Sequence, residues 1–245
     1  MLPKFAKPPL VEAACELRLH SNNAWDLTIP GRLFEKLQPD YSERRQLLGV
    51  ELEVDAKGQK PPDYRQIENL HFLSKDGKNI VQVREHAIAV SRLAPYESWE
   101  RYKPRVMDVF KKFEGISGGS AIARLGLKYV NRIVVPQAEI RLEEFLDFYP
   151  FVGSRLPQQH GPFLVGVIFP FEGPSGLLKT ELTSANPDAP GTYHILLTLD
   201  YFTEDPAQTT FEGISVWLDF AHERIEQVFI NVIKDRTRQL FESRD

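Results

Sequence analysis

The chain has 245 residues, 42% of them hydrophobic and 26% charged, with a formal net charge of -4. That is the composition of a protein able to bury its own core. Its one cysteine, Cys15, excludes an intramolecular disulfide, a four-cysteine zinc site and an iron–sulfur cluster. The acidic balance argues against a surface wrapped broadly around nucleic acid, and no stretch approaches the ~20 apolar residues of a membrane-spanning helix.

The charge is unevenly divided. Residues 1–120 hold 19 Lys+Arg against 17 Asp+Glu, net +2, and residues 121–245 hold 11 against 17, net -6. The opening Met1 to Pro9 is too short and too broken by proline for a signal peptide, and with a lone cysteine this fits a reducing cytoplasm.

In chain order, Val11, Ala13, Cys15, Leu17 and Leu19 alternate with Glu12, Glu16, Arg18 and His20, which predicts a first strand with one buried and one polar face. A short helix is expected over Pro30 to Leu37. Strands are expected at Gln46 to Val54 and Leu70 to Ser74, separated by the loop Lys57 to Asp63. Asp76-Gly77 signals a hairpin into one long strand, Asn79 to Leu93, whose Val81, Val83, Ala87 and Ala89 share a face. Pro95 ends it. Apolar Trp99, Tyr102, Val106, Val109, Phe110 and Phe113 recur at helical spacing from Ser98, with Pro104 marking a start or kink.

The linker-like Gly115 to Ser120 separates this from a second run of the same order. Arg124 to Val135 alternates Leu125, Leu127, Tyr129 and Ile133 against Arg124, Lys128 and Arg132. A helical piece is expected at Leu142 to Phe148, strands at Pro162 to Phe171, Leu177 to Thr183 and Tyr193 to Phe202, and a last helix from Ser215 to Glu242 anchored by Trp217 and Phe229. Trp99 and Phe110 look like their equivalents in the first half. The expected fold is α+β: two tandem strand-helix-three-strand-helix units, 1–116 and 121–245, whose antiparallel sheets form a curved platform.

If helices cover the Cys15 face, the other sheet face carries the chemistry. By alternation it presents Arg18, Arg84, His86, Arg92, Arg124, Lys128 and Arg132 as candidate binding residues, together with Glu12, Glu16, His20 and Gln82. Cations in register on a rigid strand suit phosphate contacts. Glu51, Glu53, Glu181 and Asp200 on the same face would make it mixed in sign, which suits a protein partner better or a solvated surface of cross-strand ion pairs. His222-Glu223-Arg224-Ile225-Glu226 lacks the second histidine of a zinc-protease helix, so His222 and Glu226 read as an i,i+4 pair. Cys15 on the apolar side is a poor nucleophile. Lys234 to Arg238 place cations toward the C-terminus of the expected last helix, where the helix dipole favours them. No phosphate loop, dinucleotide fingerprint or nucleophile elbow occurs, and no catalytic residue, metal ligand or cofactor is expected.

Four stretches, Pro8 to Ala13, Leu127 to Ile133, Ala221-His222-Glu223 and Asp235 to Phe241, are together similar to a sporadically distributed, uncharacterised family of prokaryotic proteins of about this length. The resemblance spans nearly the whole chain. It implies a cytoplasmic bacterial or archaeal protein, often encoded in mobile or defence-related gene neighbourhoods, and supplies no active site. The sequence thus leads to the expectation of a non-catalytic binding or adaptor subunit for a protein partner encoded nearby, in a prokaryotic defence setting. The alternative is a nucleic-acid-binding subunit that uses the uncovered sheet face.

Overall fold

The computed structural model describes residues 5–20, 25–53, 63–118, 121–157, 161–171, 176–203 and 209–242. Nine strands form one antiparallel sheet: β1 (Leu10–Leu19), β2 (Glu43–Glu53), β3 (Asp63–Leu73), β4 (Asn79–Arg84), β5 (Ala87–Leu93), β6 (Ile122–Val135), β7 (Leu164–Phe171), β8 (Gly176–Ala185) and β9 (Tyr193–Thr203). Their order across the sheet is β2-β3-β4-β5-β1-β6-β9-β8-β7. The helices are α1 (Ile29–Leu37), α2 (Trp99–Ser117), α3 (Ile214–Val232) and α4 (Asp235–Glu242). Among the described residues no helix is long and apolar enough to cross a membrane.

The chain divides into two compact units, one of residues 14–93 and 97–125, the other of residues 1–13, 94–96 and 126–245. In the first, the expected single strand Asn79 to Leu93 is a hairpin. Glu85 and His86 turn the chain between β4 and β5, with His86 in the left-handed region at φ 54°. The register pairs Val83 with Ile88, Val81 with Val90 and Asn79 with Arg92. A two-residue turn inverts the parity of the alternation, so even positions of β4 share a face with odd positions of β5. Ala87 and Ala89 therefore lie with Gln82 and Arg84. The apolar face is Val81, Val83, Ile88 and Val90, all buried.

Both helices of this unit pack on that apolar face. The Phe34 ring of α1 lies 5.0 Å from Phe72, which is paired with Val81, and the buried Tyr102 hydroxyl of α2 donates to the Val90 carbonyl at 2.7 Å. This bond explains why α2 begins at Trp99, ahead of Pro104. Tyr102, with no exposed surface, anchors the first turn, and burial of Val106, Val109, Phe110 and Phe113 offsets the ~3 kcal/mol cost of an interior proline. Gly118, at φ 83°, ends α2 as a left-handed cap donating to the Glu114 carbonyl at 3.2 Å. The linker-like run Gly115 to Ser120 is thus helix and cap as far as Gly118, and Gly119 and Ser120 lie outside the described residues. So do Lys57 to Pro62 of the expected loop; Asp63 opens β3.

In the other unit α3 packs on β9, with Trp217 and Tyr201 rings 5.6 Å apart over buried Leu197, Leu199 and Leu218. The expected last helix is broken. Ile233 is extended and bridges Leu146, the Val232 carbonyl accepts the Asp147 N–H at 2.8 Å, and the Lys234 N–H donates to the Phe145 carbonyl at 2.9 Å. The fully buried Thr237 hydroxyl donates to the same Phe145 carbonyl at 2.6 Å. The piece expected to be helical at Leu142 to Phe148 is spent on these contacts and keeps only a single 3-10 turn, Leu142–Glu144. Lys234 to Arg238 consequently precede and open α4 instead of closing a long helix. Phe229 stacks edge-on with Phe5 and faces Phe241, so it is no counterpart of the fully buried Phe110.

Candidate binding site

Glu16 sits at the centre of the polar face of β1, on the side away from α1 and α2. Three arginines converge on its carboxylate. Arg18 Nε lies 2.7 Å from Oε1, Arg124 reaches Oε1 at 2.8 Å from β6, and Arg84 reaches Oε2 at 2.8 Å from β4. Arg84 spans the intervening strand because its cross-strand neighbour is Ala87, whose methyl group leaves room for the long side chain. Beside the cluster is a recess of about 160 Å³ lined by Glu16, Asn69, Gln82, Arg84, Ala87 and Ala89.

Three guanidinium groups share the Glu16 carboxylate. Burial pushes the Glu16 carboxyl up, but Arg18, Arg124 and Arg84 outweigh it and hold the group below its ordinary value. On the same face the register places Arg45, which pairs with Glu43 at 3.4 Å, opposite His71, and His71 opposite Gln82. Burial, and then the Arg45 charge, hold the His71 imidazole below its ordinary range, so His71 adds no positive charge to this row near neutrality. The Arg18 side chain is 44% exposed and Arg84 25%, so the cluster meets solvent.

Of the residues singled out by sequence, Arg18, Arg84 and Arg124 come together here. Arg92 does not. The hairpin turns it to the opposite face, level with Val81 and Val90, where it bonds Asn79 Oδ1 at 3.3 Å and approaches Asp76. His86 occupies the turn, with its ring 5.3 Å from Trp25 and its carbonyl bonded to the Leu19 N–H. Arg132 belongs to a separate network. It bonds Asp188 at 2.7 Å and donates to Nδ1 of the buried His194 at 2.8 Å. An arginine only donates, so His194 carries its proton on Nε2, which lies 2.9 Å from Thr192 Oγ1. Lys128 is half-buried on the same side of β6 as Arg124 and Arg132 and joins neither cluster.

His222 and Glu226 form the expected i,i+4 pair at 3.5 Å, and the other ring nitrogen of His222 bonds the buried Tyr129 hydroxyl at 2.8 Å. Cys15 is buried and in no disulfide. Among the described residues no three His, Cys, Asp or Glu side chains lie together as metal ligands. A larger cleft of about 620 Å³ adjoins the start of α4, but its cations are matched: Lys234 by Asp147 at 2.8 Å, Arg236 by Glu144, and Arg238 by Asp235 at 3.0 Å. It offers no net charge to a ligand.

Sequence alternation placed Glu16 on the right face without marking it as the hub. Gln82 and Asn69 carried no signal beyond parity, and His194 carried none. No protein-family model and no curated protein matches this chain.

Proposed function

We propose that the chain is a non-catalytic binding subunit that takes an acidic segment of a protein partner on the Glu16 face. The convergence of Arg18, Arg84 and Arg124 on a single carboxylate carries the reading, because it gathers three guanidinium groups at a partly solvated surface. Arginine forks match carboxylates in bidentate geometry, and pre-paired arginines lose less side-chain entropy on binding than free ones. A nucleic acid is the less favoured ligand. It needs cations spaced along a track, and along β6 Arg124 is committed to Glu16 and Arg132 to Asp188 and His194.

A cytoplasmic adaptor encoded beside its partner, in a defence-related neighbourhood, is the setting implied by the family resemblance and forms part of this proposal. So does an origin by duplication. The strand order supports it, since β1 is followed outward by β5, β4 and β3, and β6 by β9, β8 and β7. The halves differ in detail, with four strands between α1 and α2 and three between the 3-10 turn and α3.

The test uses a fluorescent Glu-rich decapeptide and a single-stranded DNA decamer as probes. The peptide is expected to bind more tightly, and Arg18→Ala with Arg84→Ala to weaken it by about tenfold, in proportion to the lost charge-assisted contacts. Tighter DNA binding with a steep salt dependence would transfer the site to nucleic acid. Binding of neither probe would refute the reading.

A further inference from the structure

β7 is an outer strand of the sheet and is hydrogen-bonded to β8 on one side. The Phe163 carbonyl accepts the Ser184 N–H at 3.2 Å, which sets the phase of the ladder. Odd-numbered residues turn their backbone groups toward β8, and the N–H and C=O groups of Leu164, Gly166 and Ile168 point outward. Side chains are exposed on both faces, Leu164 at 70% and Ile168 at 52% on one, Val167 and Phe169 at 40% each on the other.

Proteins ordinarily guard such an edge with charge. The opposite outer strand, β2, does so with Glu43, Arg44 and Arg45, whereas no charged residue occurs from Gly161 to Phe171. The unguarded strand has a further property. Pro162-Phe163-Leu164-Val165-Gly166-Val167-Ile168-Phe169-Pro170 reads almost the same in both directions about Gly166.

We propose that β7 pairs antiparallel with β7 of a second copy of this chain, about a two-fold axis at Gly166. In that register Gly166 faces Gly166, Leu164 faces Ile168, Val165 faces Val167, and Phe163 faces Phe169. A palindromic strand makes every residue meet its like, as an isologous interface requires, and the absence of charge means that self-pairing sets no like charges opposite one another. The hydrogen-bonding phase agrees, because the residues whose backbone groups point outward, Leu164, Gly166 and Ile168, are the ones that meet in hydrogen-bonded pairs. Pro162 and Pro170, equidistant from Gly166 and lacking N–H groups, end the ladder at both ends. A slip by two residues either way would set a proline opposite Ile168 or Leu164 and Gly166 opposite Leu164 or Ile168, so that like no longer meets like, and the palindrome therefore favours the centred register.

Sedimentation of the full chain over a concentration series is expected to show a monomer–dimer equilibrium. Ile168→Lys, which replaces both apolar Leu164–Ile168 pairs, should raise the dimer Kd by about tenfold. The register is tested by oxidation. Gly166→Cys sets two thiols opposite each other across the axis, with Cα atoms ~5.5 Å apart and within disulfide range, whereas Leu164→Cys faces Ile168 and should cross-link slowly. The added Cβ at residue 166 meets Glu181 Cγ at 3.3 Å, a contact that a side chain can relieve, and the buried Cys15 does not compete. A chain that stays monomeric at ~100 μM, an Ile168→Lys variant that dimerises like the wild type, or equal cross-linking of the two cysteine variants would each overturn the proposal. The acidic-peptide reading would survive all three outcomes, since it concerns a different surface.

Discussion

Replacing Glu16 with Gln tests the arginine cluster in two ways that should move in opposite directions. The side chain keeps its shape and one acceptor but loses the charge that three arginines share. Arg124 and Arg84 have side chains 14% and 25% exposed, and each loses a charge-assisted bond worth about 1 kcal/mol more than its neutral replacement. Arg18, at 44% exposure, is screened by solvent and adds at most a few tenths of a kcal/mol. The expected loss is about 2 kcal/mol, or ~4–8 °C in Tm for a chain of this size. Urea unfolding should show a lower midpoint at unchanged slope.

The pH dependence has a definite sign. The Glu16 carboxyl is held below its ordinary 4.5 in the folded state, so its contribution is present above that value and fades as pH falls through the folded value. The deficit of the Gln variant should therefore shrink in acid. Binding should move the other way, with the Glu-rich decapeptide held several-fold more tightly, because the carboxylate that competes for the three arginines loses its charge. A stability loss under ~0.5 kcal/mol, within the range of ordinary surface changes, would refute the view of Glu16 as the hub. A destabilised variant with unchanged peptide affinity would refute the view of this face as a binding surface.

Burial pushes the Tyr41 phenol up to about 12, and its buried hydroxyl has no hydrogen-bond partner among the described residues. Tyr41→Phe is therefore expected to be neutral or stabilising by up to ~1 kcal/mol, read by urea unfolding, and a clear destabilisation would show an unseen partner. Thr237→Val removes the buried bond that ties α4 to the Phe145 carbonyl. It should cost about 1–3 kcal/mol and raise amide exchange selectively in α4, and uniform exchange across the chain would show that the contact does not hold the helix in place.

Alternation along β1 and β6, the helical stripe from Trp99 to Phe113 and the turn-rich connections were enough to establish an α+β chain and to place Glu16, Arg18, Arg84 and Arg124 on one polar side. These are local properties, because side-chain direction follows the period of the backbone. What depended on partners distant in sequence was decided only by the tertiary structure. The Glu85-His86 turn reversed parity and sent Arg92 to the helix-covered face, and neither residue is a glycine or proline that would announce a turn. The break before α4 arose because the segment at Leu146 captured Ile233 in a backbone bridge that outweighed an unbroken helical pattern. Glu16 became a hub because Arg84 and Arg124, 68 and 108 residues away, arrive on neighbouring strands. Periodicity assigns a face to each residue, and only the register between strands decides which charges on that face meet.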